Sequence, residues 1–162
     1  SDGFVDVARL EDERARETLL KQPPDLAGWT GQPGKYVYHH HGSLAASISS
    51  GSFRTRGMIV APCTAASLAN IANGTGKTLV ERAAEVTIKE GRKLAILLRE
   101  SPLSVVALEN ALSLAKAGVH ILPTSPAFYI KPKTIQDLVD HVVARALDLF
   151  DVPHELSTRW GE

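Results

Sequence analysis

The sequence predicts an α/β protein built on a doubly wound, mostly parallel sheet. Three observations lead there. From residue 57 onward, short apolar runs alternate with segments of helical period. The runs are apolar throughout rather than alternating, as strands covered on both faces are. Polar residues cluster directly after each run, at the strand ends where open parallel sheets bind ligands.

The elements follow in order. "GMIVAP" (57–62) is a buried type of strand ending at Pro62. Two helices follow near 64–73 and 77–90, the second aligning Leu79, Ala83, Val86 and Thr87 on one stripe. "KLAILL" (93–98) is the next strand, and "SVVALENALSLAKAG" (104–118) a helix stopped by Gly118. "VHILP" (119–123) is a third strand, and "TIQDLVDHVVARALDLF" (134–150) an amphipathic helix capped by Thr134.

The first 56 residues are less regular. "FVDVARL" (4–10) and "KYVYH" (35–39) have strand composition, with a helix around 11–21 between them. "KQPPDLAGWTGQPGK" (21–35) carries three prolines and three glycines and is mostly loop. "GSLAASISSGSF" (42–53) has the Ser/Gly composition of a flexible linker. No internal repeat is present. By length, residues 1–162 make one domain whose segment 1–42 is its irregular part.

Composition narrows the function classes. Lys plus Arg (18) balance Asp plus Glu (18), which removes the electrostatic footprint of a nucleic-acid or anionic-membrane binder. No apolar run approaches the roughly 18 residues of a membrane span, and no charged-then-apolar pattern opens the sequence, so neither a span nor a signal peptide is expected. Cys63 is the single cysteine, so no intramolecular disulfide forms and a reducing compartment is expected. The expected location is the cytoplasm.

Several motifs suggest chemistry that closer inspection removes. "GTGKT" (74–78) resembles the end of a phosphate-binding loop, but that motif needs a glycine where Ile71 stands and a strand before it. The preceding "CTAASLANIAN" reads as helix, so the stretch is an interhelical turn. His39, His40 and His41 cannot all face one ion, and no set at ligand spacing supports them, so no metal is expected. No Gly-x-Ser-x-Gly elbow is present.

The strand-end clusters remain. After 57–62 come Cys63, Thr64, Ala65, Ala66 and Ser67, small residues whose helix N-terminus suits a phosphate or a flavin edge as well as a plain Thr64 cap. After 93–98 come Arg99 and Glu100, and after 119–123 comes "TSPAFYIKP" (124–132), an aromatic pair held between prolines. Three polar clusters at three successive strand ends point to one site. In the last helix, the stripe Leu138, Val142, position 145 and Leu149 faces the core by period, yet position 145 is Arg145. Either its stem packs while its head reaches water, or its guanidinium meets an anion.

These clusters, read as "ASISSGSF" (46–53), "GMIVAPCT" (57–64), "ERAAEVTIKEGRKLAILLRESPLSVVALEN" (81–110), "AGVHILPTSPAFYIKP" (117–132) and the ending "RWGE" (159–162), resemble the flavin prenyltransferases of the UbiX/Pad type. The match runs in order over about residues 43–162. The resemblance implies a flavodoxin-like, Rossmann-like three-layer sandwich that joins a dimethylallyl group from dimethylallyl phosphate to reduced FMN without a metal. The product, prenylated FMN, would serve a UbiD-type decarboxylase. The resemblance also implies a homo-oligomer, a dodecamer, with each flavin site shared between subunits. It implies that Thr64, Ala65, Ala66, Ser67 and Arg99 hold the flavin. Lys89, Arg99, Tyr129 and Arg145 would gather around the prenyl phosphate with Trp160 close by. Glu100, with Lys89, would serve the acid–base chemistry of ring formation.

The departures from the family pattern are specific. The family opens with an apolar strand and a Gly-Ala-Ser-Gly loop that holds FMN, and neither has a counterpart here. "ARETLL" (15–20) resembles the helix after the family's second strand, which puts Asp12 at a flavin-contacting Ser and Gln22 at a site Glu. Thr78 stands where Asn is common. Three alternatives stand open: a fragment with a truncated N-terminal part, residues 1–10 filling the missing strand, or a homologue that kept the fold without turnover. Aryl-acid decarboxylase is a further activity that the resemblance offers.

Overall fold

The computed structural model describes residues 37–156. Strand β1 (Met58–Cys63) leads into helices α1 (Ala65–Asn73) and α2 (Leu79–Lys89), then β2 (Leu94–Leu98), α3 (Val105–Lys116), β3 (His120–Pro123) and α4 (Ile135–Asp148). Short 3-10 turns lie at Ser47–Ser49 and Phe128–Ile130. Every strand and helix expected from residue 57 onward is present, with ends moved by no more than two residues. The segments expected at 4–10, 11–21 and 21–35, and residues Asp12, Gln22 and Trp160, lie outside the described residues.

Among the described residues the sheet has the order β1-β2-β3 with both pairings parallel, and Val60, Ile96 and Ile121 lie side by side. Parallel crossovers are right-handed, so two successive steps in one direction put α1, α2 and α3 on the same face. There Val60, Leu94, Ile96 and Leu98 pack with Leu68, Ile71, Ala84 and Leu114. Full burial of a side chain such as Leu68 or Ile96 contributes about 1.5–3 kcal/mol. β2 is buried at all five positions, Ala95 and Leu97 included, which marks it as covered on both faces. β1 and β3 flank it and are more exposed, so the expectation of burial on both faces holds for β2 alone.

Helix boundaries follow the sequence. Thr64, Thr78, Ser104 and Thr134 each cap a helix by accepting a backbone N–H from three residues on. Thr78 and Glu81 complete a capping box, so Thr78 does the N-cap work that Asn would also do. Gly74, at φ 63°, ends α1 in the left-handed conformation glycine favours. The "GTGKT" stretch is therefore an interhelical turn, built around the buried Glu81 carboxylate. That group accepts from Asn70 Nδ2 (2.9 Å), Lys77 N (2.8 Å) and Thr78 N (3.0 Å). Burial pushes the Glu81 carboxyl up, but these hydrogen bonds outweigh it and leave it below its ordinary value.

One expectation in the N-terminal third is corrected. The described part of "KYVYH", residues 37–39, is not a strand, because the chain turns just after it. Gly42 N donates to His40 Nδ1 (3.1 Å), and Leu79 N donates to the His41 carbonyl (2.7 Å). The Ser/Gly stretch, linker-like by composition alone, is ordered, as its place in the family resemblance implies. Ser49 Oγ donates to the Leu44 and Ala46 carbonyls, both at 2.7 Å. Arg92 clamps it to the start of β2 by donating to the Phe53 carbonyl (2.8 Å) and the Gly51 carbonyl (2.5 Å). Among the described residues, no helix is long and apolar enough to cross a membrane.

Candidate functional site at the strand ends

The carboxyl ends of the three strands are stitched together by backbone hydrogen bonds. Arg99 N donates to the Cys63 carbonyl (3.0 Å), and Thr124 N donates to the Leu98 carbonyl (3.1 Å). Thr124 Oγ1 adds a second bond to the same carbonyl at 3.3 Å. The result brings Thr64 at the mouth of α1, Arg99 and Glu100 after β2, and the 124–132 loop to one edge of the sheet. Thr124 was not singled out by the sequence, where a lone threonine after a strand carries no signal.

At the α1 mouth, Thr64 Oγ1 accepts from Ser67 N at 3.2 Å and the Thr64 carbonyl from Leu68 N at 2.9 Å. The N–H groups of Ala65 and Ala66 head the first turn, where helices lack internal acceptors. Thr64 and Ala66 are exposed, Ala65 and Ser67 half-buried. Small side chains therefore leave the backbone donors open to an anion or a polar ring edge. Arg99 and Glu100 are exposed beside them, with Glu100 Oε1 accepting from Ser101 N at 3.2 Å. Tyr129 is 68% exposed on the Phe128–Ile130 turn of the third loop.

Behind the loop, Cys63 is buried. Desolvation, with a smaller contribution from the Glu81 charge, pushes its thiol up to about 11, so little of the reactive thiolate forms at neutral pH. The His40 and His41 rings lie against each other at a tilt of 43°, with centroids 4.1 Å apart. Among the described residues, no group of three or more His, Cys, Asp or Glu side chains could hold a metal ion.

One chain does not bring all the expected residues together. Lys89 ends α2, five positions before β2 begins, and Arg99 directly follows β2. Five strand residues at about 3.3 Å each put roughly 17 Å of sheet between these ends. Lys89 instead pairs with Glu90 at 3.4 Å and is 58% exposed. Arg145 lies in the last turn of α4, which returns to the amino-terminal edge of the sheet, where the Lys93 ammonium donates to the Leu149 carbonyl and lies over the Phe150 ring. The expected core-facing position of Arg145 is corrected. The Leu138–Leu149 stripe is half-buried and borders a cleft against β3, and Arg145 is 61% exposed and bonded to Asp148 at 2.7 Å. Asp148 was missed by the sequence reading, although its place three residues after Arg145 is a helical pairing distance.

Comparison with known proteins agrees with this architecture. Residues 24–147 match the family described as Flavoprotein. The chain is 50% identical over 152 residues to the flavin prenyltransferase UbiX of Halalkalibacterium halodurans, covering 91% of this chain and 74% of that protein. It is 52% identical over 125 residues to a probable UbiX-like flavin prenyltransferase of Streptomyces sp. (strain D7), covering 77% and 62%. Among solved structures, a dodecameric FMN-dependent UbiX-like decarboxylase from Escherichia coli O157:H7 superposes with a TM-score of 0.74 at 52% identity, over 76% of this chain and 67% of that one. AnUbiX, in complex with FMN and dimethylallyl pyrophosphate, also gives 0.74 at 47% identity, over 76% and 66%. The chain thus spans about three-fifths to three-quarters of the length of these curated relatives.

Proposed function

The chain belongs to the UbiX-like flavin prenyltransferase family of flavoproteins, and from that premise we propose that it transfers a dimethylallyl group from dimethylallyl phosphate to reduced FMN. The product is prenylated FMN, handed to a UbiD-type decarboxylase. Residues 1–162 act as one flavoprotein-like domain in a cytoplasmic homo-oligomer, a dodecamer as in the relative from Escherichia coli O157:H7. The buried thiol of Cys63 suits a reducing compartment.

The observation that carries the reading is the stitched strand-end edge, in a chain about half identical to a protein whose structure holds FMN and a prenyl diphosphate. The residues there fit a flavin: an open helix N-terminus with small side chains at 64–67, beside the Arg99 cation. When bound, reduced flavin supplies the nucleophilic ring atoms that accept the prenyl group. Thr64, Ala65, Ala66 and Ser67 hold it through backbone and hydroxyl donors. Arg99 sits where negative charge grows as phosphate departs, and a fixed cation stabilises that charge. Glu100, its carboxylate steadied by Ser101 N, takes up and returns the proton of ring closure. Tyr129, exposed on the third loop, joins Arg99 around the prenyl phosphate. Lys89 and Arg145, at the other edge of their own chain, serve the strand-end site of a neighbouring subunit.

The visible spectrum of the purified protein and an anaerobic turnover assay test this together. Bound flavin, and a flavin product heavier by one dimethylallyl group, are expected. Flavin that stays unmodified with dimethylallyl phosphate would instead support a homologue that binds without turnover. Release of carbon dioxide from an aryl acid by this protein alone would favour the decarboxylase reading.

A further inference from the structure

Arg145 belongs to a hydrogen-bonded series that reaches from solvent into the protein. Its Nη1 donates to Asp148 Oδ2 at 2.7 Å, and Asp148 Oδ1 is bonded to His154 Nε2 at 3.1 Å. The His154 side chain is only 6% exposed, against 61% for Arg145. Leu156 N donates to His154 Nδ1 at 3.3 Å. With Nδ1 accepting, the ring proton sits on Nε2 and points at Asp148, so the neutral tautomer satisfies both bonds. An exposed Arg–Asp pair one turn apart ordinarily does little, because both side chains wander. Here the carboxylate cannot follow the guanidinium, since its other oxygen is held by a buried imidazole.

We propose that Asp148 is a positioning residue for Arg145, with His154 fixing Asp148 in turn. The inference rests on the reading of Arg145 as a contact to the prenyl phosphate. One guanidinium nitrogen is pinned to Asp148, which leaves the other donors of the planar fork for the phosphate in the neighbouring subunit's site; Arg145 itself borders a cleft lined by His120, Ser125, His141 and Val142. A lysine could not be used this way, because it has no second rigid edge. Pinning removes rotamer freedom before the anion arrives, so less ordering is left to oppose binding.

Calorimetric titration of dimethylallyl phosphate into flavin-loaded protein tests the series, with melting temperature followed in parallel. Asp148→Ala should weaken binding by about tenfold, the scale of one charged hydrogen bond. His154→Leu, which leaves the Arg–Asp pair intact, should weaken it by about threefold, and His154→Gln should recover to within about twofold through its amide N–H. Flavin affinity should not change in any of these. A purely structural role would lower the melting temperature of His154→Leu and His154→Gln without separating their ligand affinities. Binding as tight as wild type, or tighter, in Asp148→Ala would overturn the inference, since the carboxylate would then be competing with the phosphate. If Asp148→Ala does not fold, the His154→Leu and His154→Gln pair decides alone, and equal affinities there overturn the inference as well. Arg145→Leu separates the two readings: unchanged affinity in that variant defeats the assignment of Arg145 itself, whereas a loss there without one in Asp148→Ala defeats only the positioning role.

Discussion

If the site is completed across subunits, two inactive variants should restore each other. Lys89→Ala removes a cation at one edge of the sheet, and Glu100→Gln removes a carboxyl at the other. Roughly 17 Å of strand separates their attachment points, longer than the combined reach of the two side chains toward one reacting atom. Neither change should unfold the chain. Lys89 is 58% exposed and paired only with Glu90 among the described residues, a surface pair worth about 0–1 kcal/mol at most. Each variant alone should lose about two to three orders of magnitude in turnover, as removal of a charge-stabilising or proton-transferring group usually costs. In oligomers co-expressed at equal ratio, about one quarter of the sites would take an intact Lys89 from one chain and an intact Glu100 from another. Activity should therefore return to about a quarter of wild type. The assay is anaerobic formation of prenylated flavin, with two affinity tags proving that both variants share one particle. Mixed particles that remain as inactive as either parent would refute the reasoning, and would mean that Lys89 works with its own chain's Glu100 or outside the site.

The turn at 74–78 should behave as structure rather than as a nucleotide site: Lys77→Ala should leave stability within about 0.5 kcal/mol, and ATP should not raise the melting temperature. Glu81→Ala should cost about 2–4 kcal/mol in denaturant unfolding, because Asn70 Nδ2 and the Lys77 and Thr78 N–H groups lose a charged acceptor. The Glu81 carboxyl is lowered from 4.5 in the folded state, so its contribution is present above about pH 4.5 and is lost as pH falls below that. A Glu81→Gln variant should accordingly show a flatter acid limb, and an unchanged limb would remove Glu81 from the acid response. Cys63, buried and with its thiol pushed up to about 11, should resist alkylation at neutral pH until the protein unfolds; rapid labelling of the native protein would contradict its burial.

Much of this fold was legible in the chain because its signals are local. A continuous apolar run such as "KLAILL" can only be a covered strand or a short core helix, and flanking caps decide between them. Thr64 and Thr134 announce helices through chemistry confined to one turn, and the buried Leu79, Ala83, Val86 and Thr87 stripe is a matter of period alone. The strand-end clusters at 64–67, 99–100 and 124–129 follow from parallel topology, which sends every strand's carboxyl end to the same edge. Tertiary structure decided what period and spacing cannot. The same period that placed Leu79 in the core placed Arg145 on a cleft wall, because the partner of a helix face depends on where the crossover lays that helix. The stretch around Ser47–Ser49 is held in part by Arg92, far along the chain, which donates to the Gly51 and Phe53 carbonyls. Lys89 and Arg99 are ten positions apart in sequence yet stand at opposite edges of the sheet, because a strand converts a short separation along the chain into its full length in space.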